Sequence, residues 1–370
     1  MSVSDLVRPN VRELKPFPRE LPDLPGEEIK KRLGLTHVDK LSFNENLNGP
    51  SPLAVEAMQK AAQEVHLYPS SYGDALCRAL AEFYGVETGN LLLSNGADEM
   101  IYLAAQTFAG PGDAVVFSTP SFGAYAVAAR LLGADPLPVP LTGYAVDLTA
   151  MLARAQDPGV GLIFICNPNN PTGTMVAPED IRDFMQNVPS NIVVMVDEAY
   201  MEYTRDPAGL SAVSLINRFP NLGVIRTFSK IYGLAGARVG YLVAGREITQ
   251  MMHRVRLPFN VNGIAQAGAL AALRDRGHVE RVRQLNDGQR RYLESAFERL
   301  GLKYVPSCTN FILVDTGRDS RTVFAELAQR GVIVRPGFQF GLDTFLRVSI
   351  GTEEANRRFI VSLQEILFSE

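Results

Sequence analysis

Short apolar runs alternate with amphipathic stretches through the first two-thirds of the chain. The runs at 91–94, 114–118, 161–166, 192–196, 224–227 and 239–243 are almost uninterrupted in Leu, Ile, Val, Phe and Ala, and turn residues bound each of them. Strands this uniformly apolar are buried on both faces, which predicts an α/β fold with a mostly parallel sheet flanked by helices. Between the runs a helical period recurs, predicting helices over about 53–65 and 72–84, from Gly96 to about 108, and to about 132 behind Pro120-Ser121-Phe122-Gly123. A long helical region is predicted over about 263–300. Strands at 310–315, 332–334 and 345–350 and helices at 320–330 and 353–367 follow it, an order that predicts a smaller α+β C-terminal domain. The expected organisation is therefore an arm over 1–38, a large α/β domain over 39–257 and a small domain over 258–370. The arm, rich in Pro, Arg and Glu, reads either as a loose segment or as one that packs on a partner subunit.

Composition narrows the function classes. Of 370 residues, 46% are hydrophobic and 21% charged, with a formal net charge of −4, so nothing in the bulk electrostatics calls for nucleic acid or an anionic membrane. Small anions must be handled by local basic sites. Cys77, Cys166 and Cys308 are widely separated and form no CxxC pair, which predicts a reducing, cytoplasmic setting. The histidines at 37, 66, 253 and 278 have no metal-ligand spacing, so metal catalysis is not expected. No apolar run is long enough to span a bilayer or to act as a signal peptide.

Against that background, polar residues at strand ends stand out. Lys230 follows the 224–227 run in Thr227-Phe228-Ser229-Lys230, where a strand leaves the sheet and open α/β sheets keep their chemistry. A lone lysine is by default a solvated charge, but one held in a partly dry pocket loses basicity and becomes a nucleophilic amine. Asp197 ends the 192–196 run, where a carboxylate is costly unless a cation or strong donor meets it; as a helix cap it needs neither. Asn170 sits in Asn167-Pro168-Asn169-Asn170-Pro171-Thr172-Gly173, behind another buried run. Gly96-Ala97-Asp98 opens a helix after a strand; this is an N-cap at the least and a phosphate cradle at the most. Each feature alone has an ordinary explanation. Their coincidence at the carboxyl ends of apolar strands does not.

These residues carry a resemblance to the pyridoxal-phosphate aminotransferases of fold type I and, within them, to the histidinol-phosphate aminotransferases. It runs from Asn44-Glu45-Asn46 to Leu346-Arg347-Val348 and rests on Asn170-Pro171-Thr172-Gly173, Asp197-Glu198-Ala199-Tyr200, Ser229-Lys230 with Arg238, and Arg335-Pro336 with Leu346-Arg347. The resemblance implies that pyridoxal 5'-phosphate is the cofactor and Lys230 its Schiff-base lysine. Asp197 would pair with the pyridine nitrogen, and Tyr200 and Asn170 with the ring's 3-oxygen. Phe122 would stack on one ring face and Ala199 on the other. Ala97, Asp98, Ser229 and Arg238 would take the phosphate, joined by Tyr68 from a neighbouring subunit, which makes a homodimer part of the site. Arg347 would hold a substrate carboxylate and Arg335 a second anion, with Asn44 and Phe17 also near the substrate.

The reaction so implied is amino transfer from glutamate to imidazole-acetol phosphate, with guanidinium forks that suit both carboxylate and phosphate. Two departures bear on the substrate: Leu47 stands where the family commonly has proline, and Phe17 where a tyrosine often helps to bind the substrate phosphate. The Phe17 departure keeps a broad or aromatic amino-acid aminotransferase open as an alternative. A threonine-phosphate decarboxylase shares the architecture, and a non-enzymatic cofactor-binding module is a further reading. The lysine, aspartate and both arginines argue against that module.

Overall fold

A computed structural model describes residues 2–368. Its strands, in chain order, are β1 (Asp39–Lys40), β2 (Leu91–Ser94), β3 (Ala114–Thr119), β4 (Asp135–Pro140), β5 (Val160–Cys166), β6 (Val193–Asp197) and β7 (Leu222–Thr227). They continue with β8 (Gly240–Ala244), β9 (Lys303–Val305), β10 (Phe311–Asp315), β11 (Val332–Ile333), β12 (Arg335–Pro336) and β13 (Phe345–Ser349). A seven-stranded sheet has the order β2-β8-β7-β6-β5-β3-β4, parallel throughout except at β8, which runs antiparallel to both β2 and β7.

The apolar runs form this sheet because successive side chains feed two cores. Val116, Ile163, Val194, Val196 and Val224 face one of them, while Val115, Leu162, Phe164, Met195 and Ile225 face the other, all buried. Both faces are therefore dry, as uninterrupted apolar strands require. Strand β4 was not legible as a strand, since Pro136, Pro138 and Pro140 interrupt it. It works as an edge because the amides of Asp135 and Leu141 donate to the carbonyls of Asp113 and Thr119 on the β3 side. The prolines fall at the alternate positions, where an edge strand needs no donor, and they block further pairing.

A smaller four-stranded sheet, β12-β13-β10-β9, encloses a third core that includes Leu293, Phe297, Ile312, Val348 and Phe359. The long helical region preceding it is two helices, Gly263–Arg274 and Arg276–Arg299. Asp275 breaks it: its backbone leaves the helical region at φ −85 and ψ 67, and its carboxylate caps the second helix by accepting from the His278 amide at 3.1 Å. The expected strand over 332–334 is shortened to β11, which pairs with β1, and a further short strand that was not expected, β12, joins β13.

The second half of the arm packs on its own chain. Leu24 and Ile29 are buried with Ala328 and Ile333, next to the β1–β11 pair. Further out, Asn10 Nδ2 donates to the carbonyls of Arg130 and Leu131 at 3.0 and 2.7 Å. Among the described residues no helix is long and apolar enough to cross a membrane.

Candidate functional site

The carboxyl ends of β5, β6 and β7 converge on a cavity of about 120 Å³, lined by Ala97, Asp98, Phe122, Asn170, Asp197, Ala199, Tyr200, Ser229, Lys230 and Arg238. Ten residues that the sequence nominated thus share one wall system. Cys166 and Thr227 complete the lining.

Asp197 ends β6 and is only 3% exposed. Its Oδ2 accepts from the Tyr125 hydroxyl at 2.7 Å and its Oδ1 from the Ala199 amide at 3.2 Å. Burial nevertheless pushes its carboxyl up to about 6, because the two donors replace only part of the lost hydration and, among the described residues, no guanidinium or ammonium touches it. Lys230 faces the opposite problem. Burial, reinforced by the nearby Arg347 charge, pushes its ammonium down to about 8. Its Nζ donates to the Phe43 carbonyl at 3.2 Å and lies 5.4 Å from the centre of the Tyr200 ring. The amine is thus partly neutral near physiological pH while keeping one polar partner.

One end of the cavity is built for an anion. The helix Gly96–Phe108 starts there, so its first amides have no intrahelical acceptor. Arg238, in the left-handed region at φ 58, brings its guanidinium to Ser229 Oγ at 3.3 Å and to Asp98 Oδ2 at 3.0 Å. Such close approach demands glycine beneath it, since a Cβ on Gly96 would lie 2.3 Å from Arg238 Nη2 and Gly96 itself sits at φ +83.

Behind Asn170, outside the cavity lining, stand two arginines from the small sheet. Arg335 of β12 and Arg347 of β13 are directly opposed in register, and both are buried. Like charges so placed repel unless something anionic joins them. Arg335 Nη1 meets Asp23 Oδ1 at 2.8 Å and Gln339 Oε1 at 3.0 Å. Arg347 instead uses neutral acceptors, Asn170 Oδ1 at 2.6 Å and the Ser42 carbonyl at 2.5 Å, and its buried Nε has no partner. Burial, with Arg335 alongside, lowers it to about 10. Asn44, at φ 55, donates from Nδ2 to the Tyr200 hydroxyl at 3.1 Å. Burial pushes the Tyr200 phenol well above its ordinary range.

Two nominated residues lie elsewhere. Tyr68 is 83% exposed and stacks on Phe259 with ring centres 4.7 Å apart. Phe17 is 72% exposed on the arm. Conversely, Tyr125, the donor to Asp197, escaped the sequence reading. It lies on the buried face of the helix Ala124–Leu132, stacked on Phe164, and in the sequence it is indistinguishable from core.

Comparison with known proteins agrees with this geometry. The aminotransferase class I and II family matches residues 36–363. The histidinol-phosphate aminotransferase of Moorella thermoacetica is 47% identical over 97% of this chain and 92% of its own length, and that of Symbiobacterium thermophilum is 46% identical over 98% of each. The crystal structure of histidinol-phosphate aminotransferase from Sinorhizobium meliloti in complex with pyridoxal-5'-phosphate superposes with a TM-score of 0.91, at 27% identity and 98% coverage of both chains. A cavity with a desolvated lysine, a buried strand-end carboxylate and an anion cradle, matched along nearly the whole chain, places the protein: it belongs to the class I and II aminotransferases.

Proposed function

We propose that this protein is a pyridoxal-phosphate-dependent histidinol-phosphate aminotransferase, which exchanges amino groups between L-histidinol phosphate and 2-oxoglutarate. The observation that carries the reading is the 46–47% identity, over nearly the full chain, to enzymes of that name.

The residues fit the cofactor. Asp197 is a buried carboxylate with no cation, and a protonated pyridine nitrogen supplies one. Ser229, Arg238 and the start of the Gly96–Phe108 helix suit its phosphate, Phe122 and Ala199 its ring faces, and Tyr200 with Asn170 its ring oxygen. When bound, the cofactor supplies an electron sink that acidifies the substrate's Cα–H.

This chain's groups do the rest. Tyr125 and the Ala199 amide hold the Asp197 carboxylate ionised and oriented. Lys230 would anchor the cofactor and, as a free amine, would take the proton from substrate Cα; its lowered basicity suits that role. Arg347 has an unpartnered Nε and only neutral acceptors, so it is the guanidinium most open to a substrate anion. Arg335 serves the second anion when Asp23 yields. Asn44 keeps the Tyr200 hydroxyl in place.

The active unit is a homodimer in which Tyr68 reaches the partner's cofactor phosphate. Exposed Leu67, Tyr68, Leu257 and Phe259 support a self-association surface there. Three unpaired thiols fit a cytoplasmic enzyme.

The test is glutamate formation from 2-oxoglutarate with histidinol phosphate, phenylalanine or threonine phosphate as partner. Histidinol phosphate should lead in kcat/KM by more than about tenfold, the equivalent of one charge-assisted contact. Parity with phenylalanine would favour the aromatic aminotransferase reading that Phe17 keeps open, and CO2 release from threonine phosphate would overturn amino transfer.

A further inference from the structure

On the opposite side of β6 and β7 lies a second cavity, of about 760 Å³, which the proposed reaction does not use. Its floor includes Arg226, a guanidinium inside an otherwise apolar strand and only 2% exposed. Arg226 Nη1 meets Glu198 at 2.5 Å and Nη2 meets Glu202 at 3.0 Å, while its buried Nε has no hydrogen-bond partner. The walls are apolar and partly aromatic, drawn from Phe83, Tyr84, Val86, Tyr232, Leu273 and Val279.

Two of the lining guanidiniums lack a carboxylate partner. Glu202 is taken by Arg226, Glu280 by Arg283 at 2.5 Å, and Asp206 accepts from the Gly209 amide. Among the described residues, Arg205 and Arg276 have no carboxylate within salt-bridge distance, and the Arg276 guanidinium lies 5.3 Å from the centre of the Phe83 ring. The cavity therefore combines partly aromatic, apolar walls with two exposed guanidiniums at its rim, Arg205 and Arg276, that no carboxylate pairs. Its volume is within the usual range for small-molecule sites. Guanidinium forks recognise carboxylates in plane, and aromatic walls favour a flat body.

We propose that this cavity is a second ligand site, separate from the Lys230 cavity, for a small aromatic or heteroaromatic monocarboxylate held by Arg205 and Arg276. Its position gives it leverage on the first site. Asp197 and Thr227 line the Lys230 cavity, while their chain neighbours Glu198 and Arg226 are ion-paired, with Arg226 in the floor of this one. A ligand that perturbs the Arg226 pairs acts on the strand ends that present Asp197 and Lys230.

Calorimetric titration of the holoenzyme with phenylacetate, up to about 10 mM, tests the site, with benzyl alcohol as the uncharged counterpart. Arg347→Ala removes the guanidinium that the proposed reaction offers a substrate anion, and Arg205→Ala/Arg276→Ala removes those of the second cavity. Phenylacetate is expected to bind wild type and Arg347→Ala within about twofold of each other and to lose at least tenfold in the double variant, with benzyl alcohol weak throughout. At saturating substrate it should change wild-type turnover and leave the double variant unchanged. Binding that disappears in Arg347→Ala but survives in the double variant would overturn the proposal. So would the absence of binding to every form, the outcome expected if a second copy of the chain closes the cavity.

Discussion

Asp197 offers a measurable signature of a carboxylate buried without a charged partner from its own chain. In the cofactor-free protein its carboxyl is raised from 3.8 to about 6 by burial. The folded state then binds this proton more tightly than the unfolded state does, so the stabilisation is greatest at low pH and is lost as pH rises from about 3.8 through about 6. At about 1.36 kcal/mol per unit, the full window is worth about 3 kcal/mol, of which about 1.3 kcal/mol falls between pH 5 and 7. Lys230, lowered to about 8, titrates above that interval. Asp197→Asn removes the titration. The variant cannot satisfy both Tyr125 and the Ala199 amide with its single oxygen, but that cost is the same at both pH values and cancels in the comparison. For 370 residues, an unfolding entropy of about 2.1 cal/mol/K per residue converts the difference to about 2 °C. Scanning calorimetry of the stripped proteins at pH 5 and 7 should therefore show wild type losing about 2 °C against the variant. Adding pyridoxal phosphate to wild type should close that gap, because the cofactor's cation returns the carboxyl toward its ordinary range. Parallel pH dependences in the two stripped proteins would refute the view of Asp197 as an uncompensated buried carboxylate.

Other perturbations probe the remaining parts of the site. Lys230→Ala should fold with an unchanged far-ultraviolet spectrum yet lack the visible absorbance of lysine-bound cofactor and nearly all turnover; an unchanged absorbance would remove the lysine from its role. Arg347→Ala should weaken both glutamate and histidinol phosphate by about 2–5 kcal/mol in kcat/KM, the range for truncating one partner of a buried charge pair. A selective loss of only one substrate would assign the two anions to different arginines. Gly96→Ala forces a Cβ against Arg238 Nη2 at a backbone φ of +83, and should raise the cofactor dissociation constant by at least about tenfold in fluorescence titration. Unchanged affinity would mean that Arg238 does not hold the phosphate.

The features legible in the sequence were those with a local cause. Uninterrupted apolar runs announced a two-faced sheet, and polar residues at their ends announced where its chemistry would gather, so Asp197, Lys230 and Asn170 could be nominated before their convergence was visible. Tyr125 could not be, because a tyrosine on an apolar helix face looks like packing until its hydroxyl is seen against Asp197. Strand β4 hid behind three prolines whose harmlessness depends on its being an edge, a fact about neighbours rather than composition. Arg226 did leave a signal, a lone charge in a buried strand, but its partners Glu198 and Glu202 lie 28 and 24 residues away.

The two buried arginines tie the small sheet to the arm. Strand register sets Arg335 opposite Arg347, an arrangement that repulsion disfavours and an anion relieves. In this state the arm provides the relief: Asp23 pairs with Arg335, and one of its own buried oxygens is left without a partner. The Ser42 hydroxyl donates to the Pro22 carbonyl at 2.9 Å, while the Ser42 carbonyl accepts from Arg347, so the 22–23 segment is tied to both guanidiniums. A substrate anion that reaches Arg335 must therefore compete with Asp23, whereas one that reaches Arg347 displaces only neutral acceptors. Breaking a buried ion pair is the more costly exchange. Under the proposed reaction the first anion is accordingly expected at Arg347 and a second at Arg335 only as the segment around Asp23 gives way, which would make that segment part of how the site distinguishes substrates with one anionic group from substrates with two.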